Sequence, residues 1–118
     1  MSDIISISQQ IEAKIKEIDR IRAEIKQRGE DKANTASEYD KQIALTLIGL
    51  KNGKVYTLEG QTINDPPATK TEKIARGICW EAKLEMDKAE ANYKSILSNL
   101  EAVKAQLNGL QSIYRNLE

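Results

Sequence analysis

Any chemistry done by this chain would have to come from carboxylates, lysines and a single thiol, because its 118 residues include no histidine. Without imidazole the commonest general base and the commonest metal ligand are both missing. Cys79 is the only cysteine. Alone it can neither build a zinc site nor form a nucleophile pair with histidine. It falls within an apolar series, where a small buried hydrophobe is the expected role. The carboxylate pairs, such as Glu81 with Glu85 and Glu30 with Asp31, alternate with Lys and Arg as they do on a solvated helix face. The six glycines are scattered and none precedes Lys-Ser or Lys-Thr, so there is no phosphate-cradling loop. These residues predict no catalytic, cofactor-binding or metal site. The expectation is a protein that is not an enzyme and uses no cofactor.

Charge and composition narrow the partners. Lys+Arg and Asp+Glu both total 18, and hydrophobic residues make up 40%. The balance also holds locally: residues 1–45 carry 8 basic and 9 acidic side chains, and residues 68–118 carry 8 and 7. Gripping a duplex backbone needs a surplus of positive charge on one face, and none is evident. A lone cysteine suits a reducing compartment. Met1-Ser2-Asp3-Ile4 lacks the basic start and apolar run of a signal peptide, and no stretch is long enough to span a bilayer. A cytoplasmic protein without membrane contact is expected, one domain over residues 1–118.

The elements follow from periodicity. Ile4, Ile11, Ile18 and Ile25 recur every seven residues, with Ile7 and Ile21 between them and Ile15 widening the stripe. This 3-4 spacing predicts a coiled-coil seam on a first helix of about residues 3–47, capped by Ser2 or Asp3. Gly29, Ala33 and Ala36 thin the stripe, either weakening the helix or letting a second helix approach closely. Tyr39, Ile43, Leu47 and Leu50 resume it. Asn52-Gly53 has the composition of a type I′ turn between β-prone flanks, Thr46 to Leu50 and Val55 to Leu58. Glu59-Gly60 offers a second turn, returning through Gln61-Thr62-Ile63, and Pro66-Pro67 ends the β element, which spans about 46–64.

A second helix, about 68–117, starts at a capping-box pair, Thr69 and Glu72. Its seam is the longest in the chain: Ala75, Cys79, Ala82, Met86, Ala89, Tyr93, Ile96, Leu100, Val103, Leu107, Leu110, Tyr114 and Leu117. Two helices joined by a short connection lie antiparallel. The fold class is therefore mainly all-α: an antiparallel two-helix coiled-coil hairpin with a short β-hairpin or meander at the connection. Pairing outward from the turn gives partners whose numbers add to about 117, which sets Gly29–Ala36 against Cys79–Met86.

Two features point to association. Ile74, Ile78, Trp80, Leu84 and Ala91 form a second apolar stripe off the main seam. It packs on the β element or meets another helix; a lone hairpin has no layer left to cover Trp80, which favours a homo-oligomer, a dimer or higher, or a protein partner, with Ile74, Ile78, Trp80 and Leu84 at the interface. At the open end, Ser6, Ser8, Gln9, Gln10, Ser98, Asn99, Gln106, Asn108, Gln111 and Ser112 replace the charges found elsewhere. That fits either a covered surface or compositional drift.

The wording of Lys51-Asn-Gly-Lys, of Asn64-Asp-Pro-Pro-Ala-Thr, of Glu72-Lys-Ile-Ala-Arg-Gly-Ile-Cys-Trp-Glu and of Leu107-Asn-Gly-Leu-Gln-Ser-Ile-Tyr-Arg-Asn-Leu resembles small helical coiled-coil proteins encoded by bacteriophages and prophages near recombinase and single-strand-binding genes. The likeness covers about residues 45–118 and carries over no ligand or catalytic residue. It implies a viral accessory or adaptor protein in the host cytoplasm, serving phage DNA recombination or countering a host defence. The order helix, β-hairpin, helix also resembles a β-type prefoldin subunit, which implies a holdase chaperone assembled through its strands. Nucleic-acid binding is a third expectation; it requires Arg20, Arg22, Lys26, Arg76 and Lys83 to gather on one face.

Overall fold

The structure, a computed structural model, describes residues 2–117. It is 85% helical, with two long helices packed against each other and a two-stranded antiparallel sheet at their connection. Helix α1 spans Ser2–Lys51, strands β1 and β2 span Tyr56–Leu58 and Gln61–Ile63, a 3-10 turn covers Ala68–Lys70, and α2 (Thr71–Ile78) leads into α3 (Trp80–Leu117). The two-helix hairpin expected from the heptads is thus the fold. Asp3 lies in the first turn of α1, where a carboxylate favours the helix dipole. The cap expected of Ser2 or Asp3 lies outside the described residues.

The chain divides into two compact units. The first joins residues 2–30 of α1 to residues 91–117 of α3. Its core is Ile18, Ile21, Ile96 and Val103, with Ile25, Leu100 and Leu107 packed around them. All seven come from the two heptad series. Ile15 does not widen the stripe: at 45% exposed it lies outside, because a two-helix seam is only one residue wide on each side. Lys14 and Glu17 take the flanking positions, pairing at 3.4 Å, and the Lys14 ammonium donates to Gln106 Oε1 at 2.7 Å.

These cross-helix contacts correct the register. Lys14 meets Gln106 where the turn-outward pairing puts Val103, and the Arg28 guanidinium donates to the Asn92 carbonyl at 3.1 Å where that pairing puts Ala89. Gly29 therefore does not face Cys79–Met86. It lies instead against Tyr93, whose ring a Cβ on Gly29 would meet at an ordinary 3.4 Å. Ala33, expected on the seam, is exposed. The shift arises because α1 continues to Lys51 and α2 begins at Thr71, both later than the periodicity implies.

The second unit, Asp31–Glu90, contains the end of α1, the sheet, α2 and the start of α3. Its buried residues are Tyr39, Thr46, Leu50, Ala75, Cys79 and Ala89. Thr46 Oγ1 and Cys79 Sγ, both buried, share a hydrogen bond at 3.3 Å. Two expectations fail here. Thr46 to Leu50 is helix, not strand, and Asn52-Gly53 is not a type I′ turn. Gly53 alone has positive φ, at 81°, and the Lys54 N–H donates to the Gly49 carbonyl while the Gly53 N–H donates to Leu50. That bond pair is a Schellman motif, which closes the C-terminus of α1 on a left-handed glycine.

The hairpin turn sits one element later. Glu59 and Gly60, at φ 49° and 75°, are the two left-handed residues that a type I′ turn requires, and Leu58 pairs with Gln61 across them. Thr69 and Glu72 form no capping box. Residues Ala68–Lys70 are a 3-10 turn, α2 starts with no side-chain cap, and the Thr71 hydroxyl donates back to the Pro67 carbonyl at 3.1 Å. The second helix is also not continuous. Cys79, at φ −88° and ψ 23°, separates α2 from α3, though its N–H still donates to Ala75 at 3.1 Å. Gly77, two residues earlier, lowers the helix propensity of this stretch.

Candidate association surface

The second unit holds all six residues singled out by sequence, and they divide into three groups. Asn52 and Gly53 belong to the C-terminal closure of α1 and turn the chain toward β1. Ile74 and Ile78 are half-buried on α2, which lies against β1. Ile78 and Tyr56 line one shallow cavity of 330 Å³ with Thr46 and Cys79, so this part of the second stripe is covered by the β element. Trp80 and Leu84 are not: they remain 46% and 43% exposed. The stripe is thus split by the interruption at Cys79, and only its α3 half is open to a partner.

Tyr56 explains how so small a sheet is held. Its phenol lies where a Cβ on Gly49 would be, with Cζ 3.2 Å from that position, and the Lys54 ammonium stands 5.0 Å from the ring centroid. The pleat sends Tyr56 and Leu58 to the same half-buried side. Sequence reading missed Gly49 as a receptor; a glycine seven residues before a tyrosine across a turn is the signal that could have found it.

Sequence reading also missed three exposed apolar residues near the end of α1. Leu45, Ile48 and Val55 are each about half exposed. At ~100° per residue, Leu45 and Ile48 lie on the side of α1 opposite to Tyr39, Thr46 and Leu50, which fill the seam. Ile48 falls in the flank expected to be strand, Thr46 to Leu50, while Leu45 falls in the expected first helix. Both lie on α1 and point outward.

Three of the five basic residues expected at a nucleic-acid face are paired with acids on their own helices. Arg76 reaches Glu72 at 2.8 Å, Lys83 reaches Asp87 at 3.2 Å, and Arg20 approaches Glu17 at 4.0 Å. The hydrogen bond and charge of Glu72, with a smaller share from Tyr39, raise the Arg76 pKa above its usual value. Of the acidic pairs, Glu85 is bridged to Lys88 at 3.7 Å. In the first unit the amides and hydroxyls near the open end are mostly exposed, with Gln10 donating to Ser6 at 3.3 Å. Ile5, Ile113 and Leu117 are exposed beside them.

Among the described residues, no group of three or more Cys, Asp or Glu side chains is placed to hold a metal ion. No helix among them is long and apolar enough to cross a membrane. No protein-family model, curated protein or solved structure matches the chain.

Proposed function

We propose that this chain is a non-enzymatic coiled-coil adaptor that works as a homo-oligomer, of the kind bacteriophages encode to assist DNA recombination or counter a host defence. The observation that carries the reading is Trp80. A large aromatic held nearly half exposed on the outer side of a helix, beside an exposed Leu84, is what an interface anchor presents before its partner arrives. The seam of that helix is already filled, so neither residue has work left within its own hairpin. Strands of three residues offer few backbone bonds for a strand-built oligomer, which sets the prefoldin-like alternative behind. The even balance of 18 basic and 18 acidic residues does the same for nucleic acid.

Sedimentation velocity across a concentration series, with circular dichroism in parallel, tests self-association. Trp80→Ala is expected to loosen the assembly while leaving helix content intact. A wild-type chain that stays monomeric at high micromolar concentration overturns the oligomeric reading. Adding the purified chain to strand annealing by a phage recombinase and a single-strand-binding protein tests the recombination arm. An unchanged yield removes it.

A further inference from the structure

The chain contains two Asn-Gly pairs, Asn52-Gly53 and Asn108-Gly109. Asparagine before glycine is the pair most prone to lose its amide, because glycine has no side chain to keep its nitrogen from the asparagine side-chain carbonyl. Both pairs are exposed, so access to water does not separate them. Their backbones do. Asn108 and Gly109 lie inside α3, with helix on both sides, and the neighbouring Leu107 packs on the core of the first unit. Asn52 and Gly53 lie just past α1, in a closure of two main-chain bonds. The Gly53 N–H donates to the Leu50 carbonyl at 3.2 Å, and the Lys54 N–H donates to the Gly49 carbonyl at 2.9 Å.

We infer that Asn52 is a site of spontaneous deamidation in the folded chain, that Asn108 is not, and that the isoaspartate product of Asn52 releases the β element from α1. In this reaction the Gly53 N–H gives its proton to hydroxide, and the nitrogen attacks Cγ of Asn52. The N–Cγ bond forms, the Cγ–Nδ2 bond breaks, and the amide nitrogen takes a proton from water and leaves as ammonia. Water then opens the cyclic imide. Addition at Cγ leaves aspartate on an ordinary main chain. Addition at the main-chain carbonyl leaves isoaspartate, whose main chain runs through Cβ and Cγ.

The attack cannot begin while the glycine N–H is bonded and the chain on both sides is held. At Asn52 it needs only the opening of an exposed terminal turn, which belongs to the low-stability end of local unfolding. At Asn108 it needs α3 to break beside a residue packed on the core. A reaction that proceeds through a rapidly opened state follows the population of that state, so the fold sets the two sites apart. The isoaspartate then acts on its neighbours. Its inserted main-chain atom moves Gly53 and Lys54 out of register with the Leu50 and Gly49 carbonyls, so the closure is lost. Lys54 stands 5.0 Å from the Tyr56 ring, and Tyr56 is seated on Gly49. The new carboxylate also lies at the C-terminus of α1, where the helix dipole disfavours negative charge.

Ageing the folded chain in mildly alkaline buffer, then mapping its peptides by mass spectrometry and isoaspartate-specific methylation, tests the site. Asn52 is expected to convert at least about tenfold faster than Asn108, and the two rates to converge in urea. An Asn52 that stays intact, or that only keeps pace with Asn108, overturns the inference. So does the same ratio in urea, which would make the difference one of sequence and not of fold. Amide exchange of the separated isoaspartate form tests the release. Exchange over residues 55–63 is expected to quicken while that of Ile18 and Ile96 stays unchanged. Asn52→Asp carries the charge without the inserted atom and is expected to move that exchange less. Exchange that is unchanged in the isoaspartate form, or raised as much by Asn52→Asp, overturns the release.

Discussion

Two tyrosines in this molecule lie against glycines, but only one of the glycines is needed by its ring. A Cβ on Gly29 would meet Tyr93 at an ordinary 3.4 Å, whereas one on Gly49 would overlap the Tyr56 hydroxyl. Gly49 has no positive φ, so space, not backbone freedom, is what its missing side chain provides. Gly49→Ala places a methyl against the Tyr56 hydroxyl. Tyr56 must then leave its seat, and the sheet loses its main hold on α1. The expected readout is faster amide exchange over residues 55–63, with the exchange of Ile18 and Ile96 unchanged. Gly53 is the opposite case: its Cβ would meet nothing, but its φ of 81° disfavours any side chain. Gly53→Val is expected to lower stability by about 1–3 kcal/mol in chemical denaturation, although the turn is a helix closure and not the hairpin. The sequence shows a left-handed glycine after Asn52 plainly. It does not show which motif uses it, since Asn-Gly serves a helix C-terminus as well as a type I′ turn.

At the scale of elements, the heptads predict the packing more faithfully than the ends. From Ala75 to Tyr114 every residue assigned to the second seam is buried or half-buried. That regularity was legible because burial in a two-helix seam depends on spacing alone. The helix ends were harder, as they depend on closures of a few hydrogen bonds whose residues suit several motifs. The break at Cys79 was hidden for a related reason: the seam positions pass through it in phase, with Ala75 and Ala82 on either side. Gly77 is the residue that makes the break inexpensive. A Cβ there meets nothing within 4 Å, and its φ lies outside the left-handed region. Gly77→Ala is therefore expected to stabilise the chain by about 0.5–1 kcal/mol. A thermal or urea midpoint that falls instead would mean that the interruption at Cys79 is required by the packing of α2 on the sheet. In the first unit, Ile21 is 2% exposed at the centre of the cluster. Ile21→Ala is expected to cost about 2–5 kcal/mol in urea unfolding, far more than the same change at the exposed Ile15.

For the whole molecule, stability and assembly should be coupled. Two helices share one seam, and Leu45, Ile48, Trp80 and Leu84 are left exposed outside it. In the homo-oligomer proposed above, Trp80 and Leu84 gain cover on assembly, and part of the apolar burial is then intermolecular. Anything that binds the folded chain and not the unfolded one raises apparent stability by mass action, and in that proposal the ligand is the protein itself. The thermal midpoint is accordingly expected to rise with protein concentration. In the limit where unfolding and dissociation are one step, each tenfold rise in concentration adds about 1.4 kcal/mol per contact made. Trp80→Ala should flatten that dependence while barely moving the midpoint measured at the lowest concentration, because Trp80 does little within its own hairpin. Ile21→Ala should do the reverse, lowering the midpoint at every concentration and leaving its slope. Scanning calorimetry of the wild type and both variants over a hundredfold range separates the two roles. A wild-type midpoint that does not change with concentration would mean that the exposed patches contribute nothing to holding this chain folded.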